Sequence, residues 1–374
     1  MVHNVIAIDG APGVGKTTTI LGEAESWPED SAVVTYTRDA AGVIRQRAPQ
    51  IQAGTVYALT WPYVKPFAKG GAKGFTAGKN YQERRINHLM DPALLQYEQD
   101  APSKQPKRLD AELAVRLHAW DGTLLPPFDL ASARASGELR YLLPLARWVE
   151  AGCPMAEEEK LSVIAIDEAQ DMGALEITAA LGMLKEGGKA YAYGDPGQAI
   201  FSQSKGVGEA SLAPAFEGSA SLSVMKGGYR VGDPVASLAA SVLRSFYERP
   251  ASAFRADHRT IIIPWSPEEK PRKGLVLGYS RNIVARYFQA WNATRTAITP
   301  SVAKAGNELV MCTGHAAKGA EADDVFLLPW SRPGFEKFRR KEPAALRLMY
   351  VMLTRAKKRL YIPGHLLAHL KAYA

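Results

Sequence analysis

Cysteine is scarce: of 374 residues only Cys153 and Cys312 carry thiols, far apart and with no metal-ligand spacing to any of the seven histidines. That excludes a disulfide scaffold and a zinc module of the usual spacing. Long apolar runs are missing too, none approaching the ~20 residues of a membrane helix. The opening "MVHNVIAIDG" lacks the basic stretch and long apolar core of a signal peptide. Internal repeats and low-complexity tracts are absent. These gaps predict a reduced, soluble, cytoplasmic protein with no membrane partner.

What is present is a chain that is 47% hydrophobic, enough for two sizeable cores, with a formal net charge of +8. The charge favours a polyanionic partner. Short apolar runs recur: "NVIAID", "AVVTYT", "LSVIAID", "KAYAYGD", "LVLGYS", "ELVMCT" and "DVFLLP". Most lack polar alternation, as strands buried on both faces do. Helical spacing between many of them predicts α/β domains with parallel sheets. Gly-rich, acidic or basic clusters follow the runs directly, where ligands bind in such sheets. Residues 61–143, rich in Pro, Gly and Lys with helical pieces, read as an insertion, and 248–273 as a connector.

"GAPGVGKTT", Gly10–Thr18, follows one such strand and opens a helix, the context of a phosphate loop. Gly10, Gly13 and Gly15 let backbone amides turn toward a phosphate chain, and the helix start adds positive charge. Lys16 supplies the formal charge, Thr17 a hydroxyl for Mg²⁺, and Thr18 the next polar side chain. The expected ligand is ATP. "LSVIAIDEAQDM" then delivers Asp167 to the metal and Glu168 to an attacking water. Alone, that acidic pair has a helix cap as its alternative reading.

The order "DEAQD", Asp167–Asp171, resembles motif II of superfamily 1A helicases of the UvrD/Rep/PcrA-like family. Further stretches resemble the family's other motifs in order. They are "TYTRDAAGVIRQR" (motif Ia), "GTVYALTW" (Ib, with Tyr57 for the usual histidine), "GDPGQAIF" (III) and "GGYRVGDPV" (IV). "LVLGYSRN" is similar to the short motif that follows, "TGHAAKGAEADDVFL" to motif V and "LMYVMLTRAKKRLYI" to motif VI. The resemblance spans Gly10 to Ile362.

It implies two RecA-like P-loop domains with a small, mainly helical insertion in the first. The expected division is 1–60 and 144–220 (1A), 61–143 (1B-like) and 221–374 (2A). By resemblance Lys16, Thr17 and Asp167 hold MgATP, and Glu168 deprotonates the water. Gln198 senses the γ-phosphate, while Arg230 and Arg355 act as arginine fingers from the second domain, each contributing on the order of 10³–10⁵ in rate. Tyr229 is expected to stack on adenine and Glu321 to accept from the ribose. Candidate strand contacts are Thr35, Tyr36, Arg38, Thr55, Tyr57, Phe201 and His315, and for each aromatic a core-packing role stands beside stacking. The lysine-rich Lys65–Asn80 reads either as a nucleic-acid clamp or as a solvated loop.

Departures from the family pattern narrow the expectation. Nine residues precede Gly10, so no upstream glutamine motif is expected and base selectivity is relaxed. Gln203 stands where motif III usually carries a stacking tryptophan. About thirty residues, Ile283–Cys312, occupy the place of a 2B domain, and twelve follow motif VI. The implied activity is an ATP-dependent 3′-to-5′ translocase and helicase on single-stranded and tailed duplex DNA, acting as a monomer, with replication or repair proteins as possible partners. A DNA-stimulated ATPase that strips proteins with little unwinding, or an RNA helicase, stays as the alternative. A binding protein without hydrolysis is disfavoured by the intact Lys16, Asp167, Glu168, Gln198, Arg230 and Arg355.

Overall fold

The computed structural model describes residues 4–75, 139–200, 220–244, 249–291 and 308–372. Phe201, Gln203, most of the inserted segment and most of the Ile283–Cys312 stretch lie outside the described residues. The chain divides into two compact units. One comprises Met1–Ile8, Thr17–Gly194 and Phe201–Ser223, the other Asp9–Lys16, Asp195–Ile200 and Val224–Ala374.

The first sheet contains β1 (Asn4–Asp9), β2 (Ser31–Thr35), β3 (Gln52–Thr55), β4 (Leu161–Ile166), β5 (Leu184–Gly194) and β6 (Ala220–Val224), in the spatial order β3-β2-β4-β5-β1-β6. β2 pairs in parallel with β3 and β4, and β4 with β5. Every residue of β2, "SAVVT", is buried, which explains why the run lacks alternation. The second sheet holds β7 (Ile261–Trp265), β8 (Gly274–Gly278), β9 (Leu309–Thr313), β10 (Ala322–Leu327) and β11 (Ala356–Pro363), in the order β7-β11-β10-β8-β9. All four pairings are parallel. β8, "GLVLG", is wholly buried between two neighbours, whereas β7 carries Pro264 on the edge, where a missing N–H is tolerated. Parallel α/β pairing is therefore present in both units, as the alternation of strands and helices predicts.

Helices complete each unit. α1 (Lys16–Ala24) starts at the phosphate-loop lysine, and α2 (Arg38–Arg47) is capped by Thr37, whose hydroxyl accepts the Ala40 N–H. α3 (Val56–Phe75) and α4 (Leu139–Glu150) pack together and frame the inserted segment. The expected divisions at 60/61, 143/144 and 220/221 fall inside α3, α4 and β6. Trp148 of α4 is fully buried in the first core, with Tyr63 of α3 stacked on it at 6.4 Å and its indole N–H donated to Pro154 O. In the second unit α5 (Val235–Leu243) and α6 (Pro343–Leu353) are almost wholly buried and share one core, where Phe254 meets Tyr350 edge-on at 6.0 Å.

One glycine is dictated by close backbone approach. A Cβ on Gly232 would sit 1.7 Å from the His258 carbonyl oxygen, because the chain there bridges Val231 to Arg255 and Pro234 to Thr260. Gly22, within α1, has open space around it. Gly232→Ala should therefore lower unfolding stability by about 1–3 kcal/mol, whereas Gly22→Ala should raise it by about 0.5–1 kcal/mol. Urea unfolding of the two variants checks both signs.

Candidate functional site

In the first unit, β4 runs buried to its end and hands the chain to Asp167, whose N–H continues the ladder to Val34 O at 2.8 Å. Asp167 is only 3% exposed. Its Oδ2 accepts the Thr17 hydroxyl at 2.9 Å and its Oδ1 accepts the Glu168 N–H at 3.0 Å. The backbone then turns sharply. Glu168 adopts φ 57°, ψ 42°, a left-handed conformation that costs a non-glycine residue roughly 1–2 kcal/mol. Such strain persists only where the surroundings over-determine it. Here Gln170 Nε2 donates to Glu168 Oε2 at 2.5 Å, and the Asp171 N–H donates to Glu168 O at 3.0 Å. The "DEAQD" order thus builds a locked acidic turn and not a helix cap.

A threonine hydroxyl and a carboxylate in contact are a hard oxygen pair of the kind Mg²⁺ takes, so these residues fit the expected metal. Thr18, one residue on, is exposed.

In the second unit the phosphate loop turns on Gly13 (φ 76°) and Gly15 (φ 92°). Gly13 is also a contact point: a Cβ there would lie 2.4 Å from Arg230 Cβ, and its carbonyl accepts the Tyr229 N–H at 2.9 Å. Lys16 is buried, its ammonium donating to Gly10 O at 2.6 Å and Ala11 O at 3.3 Å. Tyr229 is 83% exposed, its ring beside Gly15.

Gln198 follows β5 in a short 3-10 turn. Its Nε2 donates to Asp195 Oδ2 at 2.9 Å, and its Oε1 accepts Arg355 Nη2 at 2.8 Å. Both ends of the amide are therefore assigned by chemistry, since a carboxylate only accepts and a guanidinium only donates. Arg355 is 1% exposed and also donates to Val351 O and Ala320 O. Lys318 Nζ donates to Gln198 O at 2.7 Å. Arg230 Nε donates to Glu321 Oε2 at 2.6 Å, while Lys357 Nζ lies 2.6 Å from Glu321 Oε1.

Sequence reasoning thus finds a set that the fold gathers in each unit. Thr17, Asp167 and Glu168 meet in the first, and Gly10, Gly13, Gly15, Lys16, Tyr229, Arg230, Glu321, Gln198 and Arg355 lie in the second. It misses Lys318 and Lys357, which stand inside motifs V and VI and were findable there.

Among the candidate strand contacts, Thr35 and Thr55 are direct cross-strand partners at the ends of β2 and β3. Thr35 is buried and donates its hydroxyl to Thr37 O. The Thr55 hydroxyl accepts the Ala58 N–H. Tyr36 and Tyr57 are half-buried against the first core, Arg38 is exposed at the start of α2, and His315 is exposed after β9.

A family model described as an AAA domain matches residues 1–204, and one described as the UvrD-like helicase C-terminal domain matches residues 294–365. No curated protein matches the chain in sequence. Among solved structures it is similar to the PRRSV helicase at 14% identity and TM-score 0.42, over 96% of this chain and 52% of that one. It is similar to an arterivirus nonstructural protein 10 helicase at 14% identity and TM-score 0.45, over 99% of this chain and 61% of that one. A complex of that helicase with DNA gives 12% identity and TM-score 0.44, over 99% and 62%. The chain spans between half and two thirds of the length of these helicases.

Burial pushes the Glu321 carboxyl up, but the Arg230 and Lys357 cations pull it down further, leaving it below its ordinary value of 4.5. A depressed carboxyl adds stability that is present above the unfolded value and lost as pH falls through the folded one. Below pH 4.5 the wild-type chain should therefore lose stability more steeply than Glu321→Gln. Urea midpoints across that window give the comparison, and equal slopes would contradict the assignment.

Proposed function

This chain belongs to the UvrD-like superfamily 1 helicase family, and we propose that it is an ATP-dependent motor that translocates 3′ to 5′ on single-stranded DNA and unwinds tailed duplexes. The observation that carries the hydrolytic part is the Thr17–Asp167 contact followed at once by the locked Glu168.

The residues act in a definite division of labour. The loop amides and Lys16 bind the triphosphate, the ammonium exchanging backbone carbonyls for phosphate oxygens. Thr17 and Asp167 would hold Mg²⁺, which when bound offsets charge on the phosphate oxygens. Glu168 takes a proton from the attacking water. Its carboxylate is oriented by Gln170, so the base needs no search of rotamers before each turnover. Gln198, Arg355 and Arg230 stabilise the charge that develops on the transferred phosphoryl group. Tyr229 stacks on the base. Glu321 takes the ribose hydroxyl in the same reading.

Residues 61–143 are assigned as the accessory 1B-like element, with α3 and α4 as its stems. Strand binding is supported by the net charge of +8. The polarity rests on the motif resemblance.

Two measurements test the reading. Single-stranded DNA should stimulate ATP hydrolysis, and Glu168→Gln should lower kcat on the order of 10²–10⁴-fold with little change in nucleotide affinity. Duplexes of DNA or RNA with 3′ or 5′ tails should be unwound best as 3′-tailed DNA. Preference for 5′ tails would refute the polarity, and absence of stimulation by any strand would refute the motor.

A further inference from the structure

Arg249 lies in the stretch read from sequence as a connector, outside every motif quoted above. Its side chain is nevertheless 3% exposed. The guanidinium reaches three groups: the Asp9 carboxylate, in close contact; Asp195 Oδ1, at 2.8 Å; and Tyr350 Oη, at 3.1 Å. Asp9 is the last residue before the phosphate loop, and Asp195 is the acid of the "GDPGQ" turn. The side chains of Asp9 and Asp195 are 4% and 0% exposed.

The geometry points to Arg249 as a positioning residue for ATP hydrolysis, which holds Gln198 in register through Asp195 and anchors the first turn of the phosphate loop through Asp9. This rests on the ATPase reading above. The path is continuous. Arg249 fixes Asp195 Oδ1, which also accepts the Gly197 N–H at 2.9 Å. Tyr350 Oη, which accepts from Arg249, donates to Asp195 Oδ2 at 3.2 Å. Asp195 Oδ2 in turn accepts Gln198 Nε2, whose amide oxygen takes Arg355. One buried guanidinium thus sits between two carboxylates that flank both nucleotide-sensing segments. A lysine keeps the charge but loses the planar fork that spans both acids.

An ion pair that merely supports the fold would behave differently. Its loss would lower the melting temperature without a selective loss of turnover. The test uses the full chain with Arg249→Lys, Gln198→Ala and the double variant, measuring strand-stimulated kcat, KM and thermal midpoint. We expect Arg249→Lys to lower kcat by about 10–100-fold, with KM changed by less than about threefold. The double variant should lose less than the two single losses combined, because residues acting through one group are not additive. Tyr350→Phe, which removes only a hydroxyl, should lower kcat in the same non-additive way, and decides the matter if Arg249→Lys does not fold. Wild-type kcat in a folded Arg249→Lys or in Tyr350→Phe, or losses that add to that of Gln198→Ala, would overturn the inference while leaving the motor intact. A wild-type chain that hydrolyses nothing on any strand would instead sink the functional reading, and this role with it.

Discussion

Asp195 is a carboxylate with no exposure to solvent, and the arrangement of the second unit depends on how its charge is satisfied. A buried, unpaired carboxylate costs several kcal/mol. Asp195 avoids that cost with donors from four residues: the Gly197 N–H, Gln198 Nε2, Arg249 Nη1 and Tyr350 Oη. These donors come from the turn after β5, from the segment after α5 and from α6. Beside the Asp195 charge, burial raises the Tyr350 phenol well above its ordinary range, so it stays protonated and keeps donating. One charge thereby sets the position of Gln198, and through it of Arg355.

Much of this was legible in sequence because it depends on local order. The phosphate loop needs glycines where φ is positive and a lysine at the helix start, and Gly13, Gly15 and Lys16 stand there. The apolar runs without alternation became buried parallel strands for the reason that they lack alternation: both faces are covered. "DEAQD" stands directly after an apolar run, and the end of β4 is where Asp167 meets Thr17.

Other features were not legible, and the reason is physical. The left-handed backbone at Glu168 follows no residue preference, since glycine or asparagine is what favours that region. It is imposed by the Asp167 and Gln170 side chains on either side. Arg249 meets acids 240 and 54 residues away in sequence, so no window of the chain contains the pattern. Helices α3 and α4 ran through the expected 60/61 and 143/144 divisions because Tyr63, Val64 and Leu142, from inside the segment read as an insertion, pack the first core together with Trp148 beyond it. Pro62 and Pro66 sit within α3 and Pro144 within α4.

Burial also separates arginines that sequence alone would rank together. Arg230 and Glu321 keep 17% and 34% of their side chains exposed, so water can replace either partner and the pair contributes at most about 1 kcal/mol. Arg230 is therefore free to exchange Glu321 for a phosphate oxygen at little cost. Arg249 has no such freedom: its departure would take a guanidinium from two buried carboxylates at once. A cation that must change partners in a catalytic cycle belongs at a half-exposed pair, and a cation that must hold a geometry belongs in a closed one. Arg230 and Arg249 occupy those two environments.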